Sequence, residues 1–361
     1  MRVLQLGPYP PPHGGIQTNL VAIRRLLRER GHWCGVVNIT RHRSALDDCV
    51  YHPRTALETV GLLVRLRFDV VHFHVGGDLS PRLLALALLC CLMPRARAVL
   101  SFHSGGYPSS KAGRTARPRS IRGFIFRRFD RILAVNAEIA EMFRRFGVSA
   151  ERIRVIPPHA APVVGDTPLP ALLRQFFDRH DPVFLAVGLL EPEYDLHLQI
   201  KVLGTIRARY PDAGLVIAGS GKLYHDLRRY ISLTNYAEHV FLYGDMPHPV
   251  TLRAISECDI LLRTTVYDGD SVAVREALGL GTPVIATDNS MRPSGVCLVP
   301  ACDEIALQAA IEQTLAAPPP SGSEWQSEAS DNIESILELY GELLTPPALV
   351  PSTDRMAATR E

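Results

Sequence analysis

No two of the seven cysteines stand at C-x-x-C spacing, their number is odd, and Cys90 and Cys91 are adjacent. That excludes a disulfide framework and a cysteine-held zinc site as organising elements, and a reducing, cytoplasmic setting is expected. Lysine is scarce: Lys111, Lys201 and Lys222 stand among 39 basic residues, and the rest are arginine. No apolar run approaches the roughly 20 residues that span a bilayer; the longest, 83–93, stops at Pro94 and reads as a buried helix. The start, MRVLQLGPYP, has no apolar core before a small-residue cleavage site, so no signal peptide is expected. The dinucleotide pattern G-x-G-x-x-G is missing, which removes support for a nicotinamide enzyme. AGSGKL at 218–223 fails as a triphosphate loop, because G-x-x-x-x-G-K-[ST] needs glycine at Val216 and Ser or Thr at Leu223. A glycine turn between strand and helix is the better account.

What is present is a chain of 361 residues, 47% hydrophobic and 21% charged, enough for two domains that each bury a core. From 317 onward it is rich in Pro, Ser and Glu, and the last dozen residues are expected to fray. The net charge of +2 hides an asymmetry: residues 1–160 hold 25 Lys+Arg against 10 Asp+Glu, so the totals of 39 and 37 leave 14 against 27. A basic half points to nucleic acid, an anionic membrane or a phosphate-bearing substrate, or merely to a solvated arginine-rich surface.

Apolar, strand-like runs alternate with segments of helical period, the pattern of a parallel α/β sheet. Strands are expected at 3–6, 35–39, 70–73, 98–102, 132–135 and 153–156, with helices such as 16–30, 57–67 and 137–146. The proline-rich PPHAAPVVGDTPLP breaks the series and marks a linker. The pattern restarts with strands at 183–187, 215–218, 240–243, 260–262 and 284–286. This divides the chain into 1–160, a linker 161–180, 181–330, a C-terminal helix within 331–345 and a flexible tail 346–361. Two doubly wound domains in tandem leave a cleft, and ligands of such sheets bind at the carboxyl ends of the strands.

The first strand leads into GPYPPPHGGIQTNL, where Gly14 and Gly15 precede a helix; either the backbone approaches a phosphate or sugar there, or this is a plain turn. The fourth strand leads into SFHSGGYPSS, leaving His103 either to hydrogen-bond developing charge or to cap its strand. His72 and His74 are expected to diverge to opposite faces of their strand, which gives no shared metal. In YDGDSVAVREALGLGTPVIA, Asp268 lies in a loop after a strand, Ser271 caps a helix, and Glu276 follows on its second turn. Carboxylates there accept hydrogen bonds from vicinal hydroxyls, while loop amides hold a diphosphate or sugar.

This stretch resembles the E-x7-E motif of the retaining glycosyltransferases of family 4, which have two facing Rossmann-like domains with an interdomain cleft, the GT-B fold. Asp268 replaces the first Glu. The ordered segments HGGIQ, DVVHFH, SFHSGG, AVNAEIAEMFRRFGVSAERIRVIPP, LAVGLLEPE and LVIAGSGKL extend the resemblance over nearly the whole chain. It implies that Glu276 binds the ribose of a nucleoside-diphosphate sugar, the co-substrate, and that Asp268 sits near the transferred sugar beside the amides of Gly269, Asp270 and Ser271. Gly14 and Gly15 would line the phosphate side, and His103 would face the anomeric centre. No metal and no further cofactor are implied. Two departures stand out. The family's Arg and Lys in G-R-L-x-x-x-K-G are replaced by Leu189 and Tyr194, leaving Arg263 and Arg292 as candidate substitutes or as ordinary surface arginines. IPPHA replaces an Asn-Gly turn at the hinge.

The acceptor would be a saccharide or lipid-linked saccharide held by the basic first domain. Within 111–131, Arg119, Arg122, Arg127, Arg128 and Arg131 interleave with Ile121, Phe124, Ile125 and Phe126. On a helix this gives the apolar and basic faces of a segment lying on an anionic leaflet, or a domain helix that buries its Phe side. A nucleic-acid partner is not expected, since no binding module or stacking platform is present. The expectation is a bacterial, metal-independent transferase of polysaccharide biosynthesis, peripheral on the inner face of the cell membrane. The alternative is a catalytically degenerate subunit that scaffolds an active transferase.

Overall fold

The computed structural model describes residues 1–40, 47–77, 79–157, 162–317 and 332–345. Two parallel sheets result. In the first, β1 (Arg2–Gly7), β2 (Trp33–Asn38), β3 (Val50–Tyr51), β4 (Val70–Val75), β5 (Arg97–Phe102), β6 (Arg131–Ala134) and β7 (Ile153–Val155) lie in the order β3-β2-β1-β4-β5-β6-β7. In the second, β8 (Val183–Val187), β9 (Gly214–Ala218), β10 (Val240–Gly244), β11 (Ile260–Arg263), β12 (Val284–Thr287) and β13 (Cys297–Val299) lie in the order β10-β9-β8-β11-β12-β13. The strands are apolar along their length because helices cover both faces of a parallel sheet. Each sheet reverses its winding between its first and fourth strands, β1 beside β4 and β8 beside β11, and these are the two switch points where such folds bind ligands.

The short edge strands β3 and β13 were not foreseen, since two or three residues carry no measurable period. The helix expected at 83–93 forms as Pro81–Cys91, but only Ala87 and Cys90 are fully buried; it lies half-exposed on the first sheet. Within the stretch assigned to a linker, Ala171–Arg179 forms a helix that puts Leu173 and Phe176 into the second domain's core. The hinge residues 158–161 and the tail 346–361 lie outside the described residues. Helix Asn332–Leu344 crosses back to the first domain: Ile333, Ile336, Leu339, Tyr340 and Leu343 pack on Val3, Ile23, Leu27, Val70 and Leu133.

Segment 111–131 is not one amphipathic helix. Proline and serine at 118 and 120 interrupt it, giving short helices Lys111–Arg114 and Ile121–Phe126 before β6 starts at Arg131. Ile125, Phe126 and Phe129 enter the core, while Ile121 (76% exposed) and Phe124 (47%) point out, with Arg128 stacked on the Phe124 ring at 3.4 Å. Arg127 caps the carbonyls of Pro118 and Phe146.

Candidate functional site

Both switch points open onto one cavity of about 750 Å³ between the domains, within the size range of small-molecule sites. From the first domain it is lined by His13, Gly14, Gly15, Gln17, His103 and Tyr107 among others, and from the second by Leu189, Tyr194, Arg263, Asp268 and Glu276. Helix Gly15–Glu29 begins without a side-chain cap, so the amides of its first turn face the cavity with no partner from the helix and a positive dipole end behind them.

Glycines let the domains touch. A Cβ on Gly105 would fall 1.9 Å from the Asp268 carbonyl oxygen, and one on Gly269 would fall 2.4 Å from that of His103. Asn136, which caps helix Ala137–Arg145 through Oδ1, also donates from Nδ2 to the Gly269 carbonyl at 2.5 Å. At the other rim the His13 amide donates to Asp245 Oδ1 at 2.8 Å, and the His13 ring pairs with Oδ2 at 3.1 Å. We expect Gly105→Ala to wedge the domains apart and lower turnover about 10- to 100-fold, because displacements near 1 Å carry such costs. Solution scattering should show a larger radius of gyration, and an unchanged radius with full activity would contradict the contact.

Glu276, on helix Val272–Gly279, is buried; its Oε1 pairs with His248 Nε2 at 2.6 Å, and its Oε2 accepts no hydrogen bond among the described residues. The helix cap is Ser271, whose hydroxyl accepts from the Val274 amide. Asp270 accepts from Arg275 Nε at 2.6 Å and from its NH2 at 2.7 Å, and burial raises its carboxyl above the usual range. The Gly269 amide donates to its neighbour Asp268 Oδ1 at 3.1 Å, so the expectation that it holds the donor does not fit this geometry. The amides of Asp270 and Ser271 carry no such bond among the described residues.

Arg263 leaves β11 into the cavity wall. A Cβ on Gly188 would lie 2.7 Å from Arg263 NH1, and the Tyr194 ring sits 4.7 Å from the guanidinium. The guanidinium therefore stands at the strand end where the basic pair is missing. Arg292 differs: its side chain is buried beside Asp268 and outside the cavity lining, so it offers no direct donor contact. Burial alone would raise the Asp268 carboxyl, but Arg263 and Arg292 outweigh it and hold it below the usual carboxylate range.

His103 lines the cavity with Nε2 enclosed and unpartnered, and burial lowers its pKa to about 4. His72 and His74 share a face after all, since residues two apart on a strand point the same way, and their rings lie 4.0 Å apart. Tyr340 hydrogen-bonds with His72 Nδ1 at 2.5 Å, Ser101 with its Nε2 at 2.8 Å, and His74 Nε2 donates to Gln5 Oε1 at 3.0 Å. His74 stacks on His103 with centroids 6.0 Å apart, which completes a column from the crossing helix to the cavity. No group of three His, Cys, Asp or Glu among the described residues is placed to hold a metal. The glycine turn at 219–223 forms as expected, with Lys222 paired to Glu191 at 3.1 Å. The sequence reading missed His248, Asp245, His13 and Asn136. The rule that functional residues follow strands would have found His248 and Asp245, just after β10.

The family model described as glycosyltransferase family 4 matches residues 13–159, and that of the glycosyl transferases group 1 matches residues 174–329. An uncharacterised glycosyltransferase of Methanocaldococcus jannaschii is 29% identical over 130 residues, 36% of this chain and 31% of that protein, so the chain spans less than a third of that relative. A phosphatidyl-myo-inositol mannosyltransferase of Mycolicibacterium smegmatis is 23% identical over 312 residues, 80% of this chain and 76% of the relative. HepE of Anabaena, solved with UDP-glucose, aligns at TM-score 0.70 and 17% identity over 95% of this chain and 99% of its own. A TarM variant of S. aureus aligns at TM-score 0.67 and 10% identity over the same shares. With one family model on each domain and both sheets wound alike, the chain belongs to the family 4 glycosyltransferases and has the GT-B fold.

Proposed function

We propose that this protein is a retaining glycosyltransferase that moves a sugar from a nucleoside-diphosphate sugar to a hydroxyl of a saccharide or lipid-linked saccharide, in polysaccharide or glycoconjugate biosynthesis. The observation that carries the reading is the convergence of Glu276 Oε2, the uncapped helix start at Gly15 and the Arg263 guanidinium on one interdomain cavity. Glu276 accepts from the ribose hydroxyls. The helix start and Arg263 meet the diphosphate, and stabilising its charge as the bond to the sugar breaks is the main catalytic effect. The acceptor hydroxyl adds to the anomeric carbon from the face the diphosphate leaves, and its proton goes to the departing phosphate oxygen. His103, neutral at physiological pH, hydrogen-bonds the transferred sugar without carrying charge. In this reading Arg263 and the amides supply the charge a metal would bring, and no cofactor beyond the co-substrate is needed.

The first domain selects the acceptor. Ile121 and Phe124, flanked by exposed Arg114, Arg117, Arg119 and Arg128, would rest on the anionic inner face of a bacterial membrane. No helix among the described residues is long and apolar enough to cross a membrane, and the association proposed here is a peripheral one. The mannosyltransferase relative, named for a phosphatidylinositol, and the UDP-glucose in HepE support a lipid-borne acceptor and a nucleotide-sugar donor. The motive for a catalytically degenerate subunit, the missing basic pair, is weakened by the Arg263 guanidinium beside Gly188.

Turnover with UDP-, GDP-, ADP- and TDP-sugars, and the anomeric configuration of the product by NMR, test the reading. Arg263→Ala should lower kcat about a hundredfold, the usual cost of a positioned charge in such a site. An inverted product would overturn the retaining mechanism, and absence of turnover with every donor would restore the scaffold reading.

A further inference from the structure

We propose that Asp268 and Arg292 are positioning residues for the leaving diphosphate: Asp268 locks Arg263 at the cavity wall, and Arg292 leaves the three-residue cluster with one net positive charge. The inference rests on the donor reading above, and it gives Asp268 a different part from the sugar contact that its place in E-x7-E implies.

The hydrogen bonds of Asp268 carry the argument. Oδ2 accepts from Arg263 Nε at 3.0 Å, Arg263 NH2 at 2.7 Å and Arg292 NH1 at 3.0 Å, while Oδ1 accepts from the Gly269 amide at 3.1 Å. A carboxylate offers about four acceptor sites, and four donors already reach this one. Oδ2, with three donors on it, has none left for a sugar hydroxyl, and Oδ1 already accepts from the Gly269 amide. Arg263 is fixed from its other side by NH1, which donates to the Val187 carbonyl at 2.6 Å, and by the Tyr194 ring. Arg292 turns the remainder of its fork away from the cavity, to the carbonyls of Thr287 at 3.1 Å and Thr265 at 3.2 Å.

The charge balance gives Arg292 its role. Arg263 is the sole lysine or arginine among the described residues lining the cavity, where Glu193, Asp245, Asp268, Asp270 and Glu276 are acidic. An isolated Arg263–Asp268 pair would be neutral and would hold a diphosphate weakly. Two guanidiniums on one carboxylate leave a surplus of one positive charge, in a buried setting where salt screens it little. Arginine stays protonated even here, so the surplus persists at any pH the fold tolerates. The bridging carboxylate is what lets two like charges be buried together, since an unpaired buried charge is strongly destabilising.

The test is calorimetric titration with UDP, GDP, ADP and TDP, and with the matching monophosphates, of the wild type, Arg292→Gln, Arg292→Lys, Asp268→Asn and the double variant Asp268→Asn/Arg292→Gln. Thermal unfolding of each reports whether it folds. Arg292→Gln should weaken diphosphate binding about tenfold and monophosphate binding less than about threefold, although residue 292 touches neither ligand. Arg292→Lys, which keeps the charge, should stay within about threefold of the wild type. The double variant regains one net positive charge and should bind diphosphate more tightly than Arg292→Gln alone, a recovery that damaged packing would not produce. Unchanged diphosphate affinity in Arg292→Gln, or further loss in the double variant, would overturn the inference while leaving the donor reading intact. A wild type that binds none of the nucleotides would overturn the donor reading, and this inference with it.

Discussion

Glu276→Ala is expected to lower kcat/KM about a thousandfold while the protein still folds. The carboxylate is the best-placed acceptor on the second domain's wall: Oε1 is fixed by His248 and Oε2 is left for the ligand. Two hydrogen bonds from ribose hydroxyls to a buried carboxylate acceptor contribute about 1.5–3 kcal/mol each, and their loss together reaches the thousandfold range. Folding should survive because the residue sits at the cavity and leaves the half-exposed His248 free to meet water. The measurement is steady-state kinetics beside a nucleotide titration, and activity retained within tenfold would remove Glu276 from the donor site.

The second large effect is on stability in acid. His72 and His74 are fully buried and His103 lines the cavity with Nε2 enclosed, and burial pushes His72 down to about 3, His103 to about 4 and His74 well below the usual value, the neighbouring rings adding to the effect at His72 and His74. In the unfolded chain each titrates near 6.5. Below that pH the unfolded state therefore binds protons that the native state refuses, so stability is complete above about 6.5 and falls as the pH drops toward 4. Three such groups give a slope of at most about 4 kcal/mol per pH unit, large against the 5–15 kcal/mol of a typical domain. Denaturant unfolding at pH 7.5, 6.5, 5.5 and 5.0 should show the first domain losing stability steeply below 6.5. A flat profile down to pH 5 would mean that the column is open to water.

Much of the fold was legible because a parallel sheet covered on both faces demands apolar strands, and helices between them carry a different period. What escaped was short or depended on context: β3 and β13, and the split of 111–131 into two short helices. That split turns on whether Phe126 and Phe129 find a core, and a sequence does not state where the core is. The cavity lining was legible at Gly14 and His103, which follow strands, and at Glu276, on the helix beyond one. The sequence misled where the partner of a charge mattered. Asp268 was expected near the transferred sugar, yet Arg292 comes from 24 positions further along the chain to help occupy it.

The sequence alone determined two doubly wound domains, the cleft between their strand ends and part of the set of residues that line it, because periodicity and strand-end position are local properties of a chain. The tertiary structure alone decided which of those residues have partners. It placed Arg263 beside Gly188, filled Oδ2 of Asp268, left one oxygen of Glu276 open and joined Tyr340 to the histidine column. Burial and hydrogen bonding between residues tens to hundreds of positions apart set the charge and availability of each group, and neither is written in the order of the amino acids.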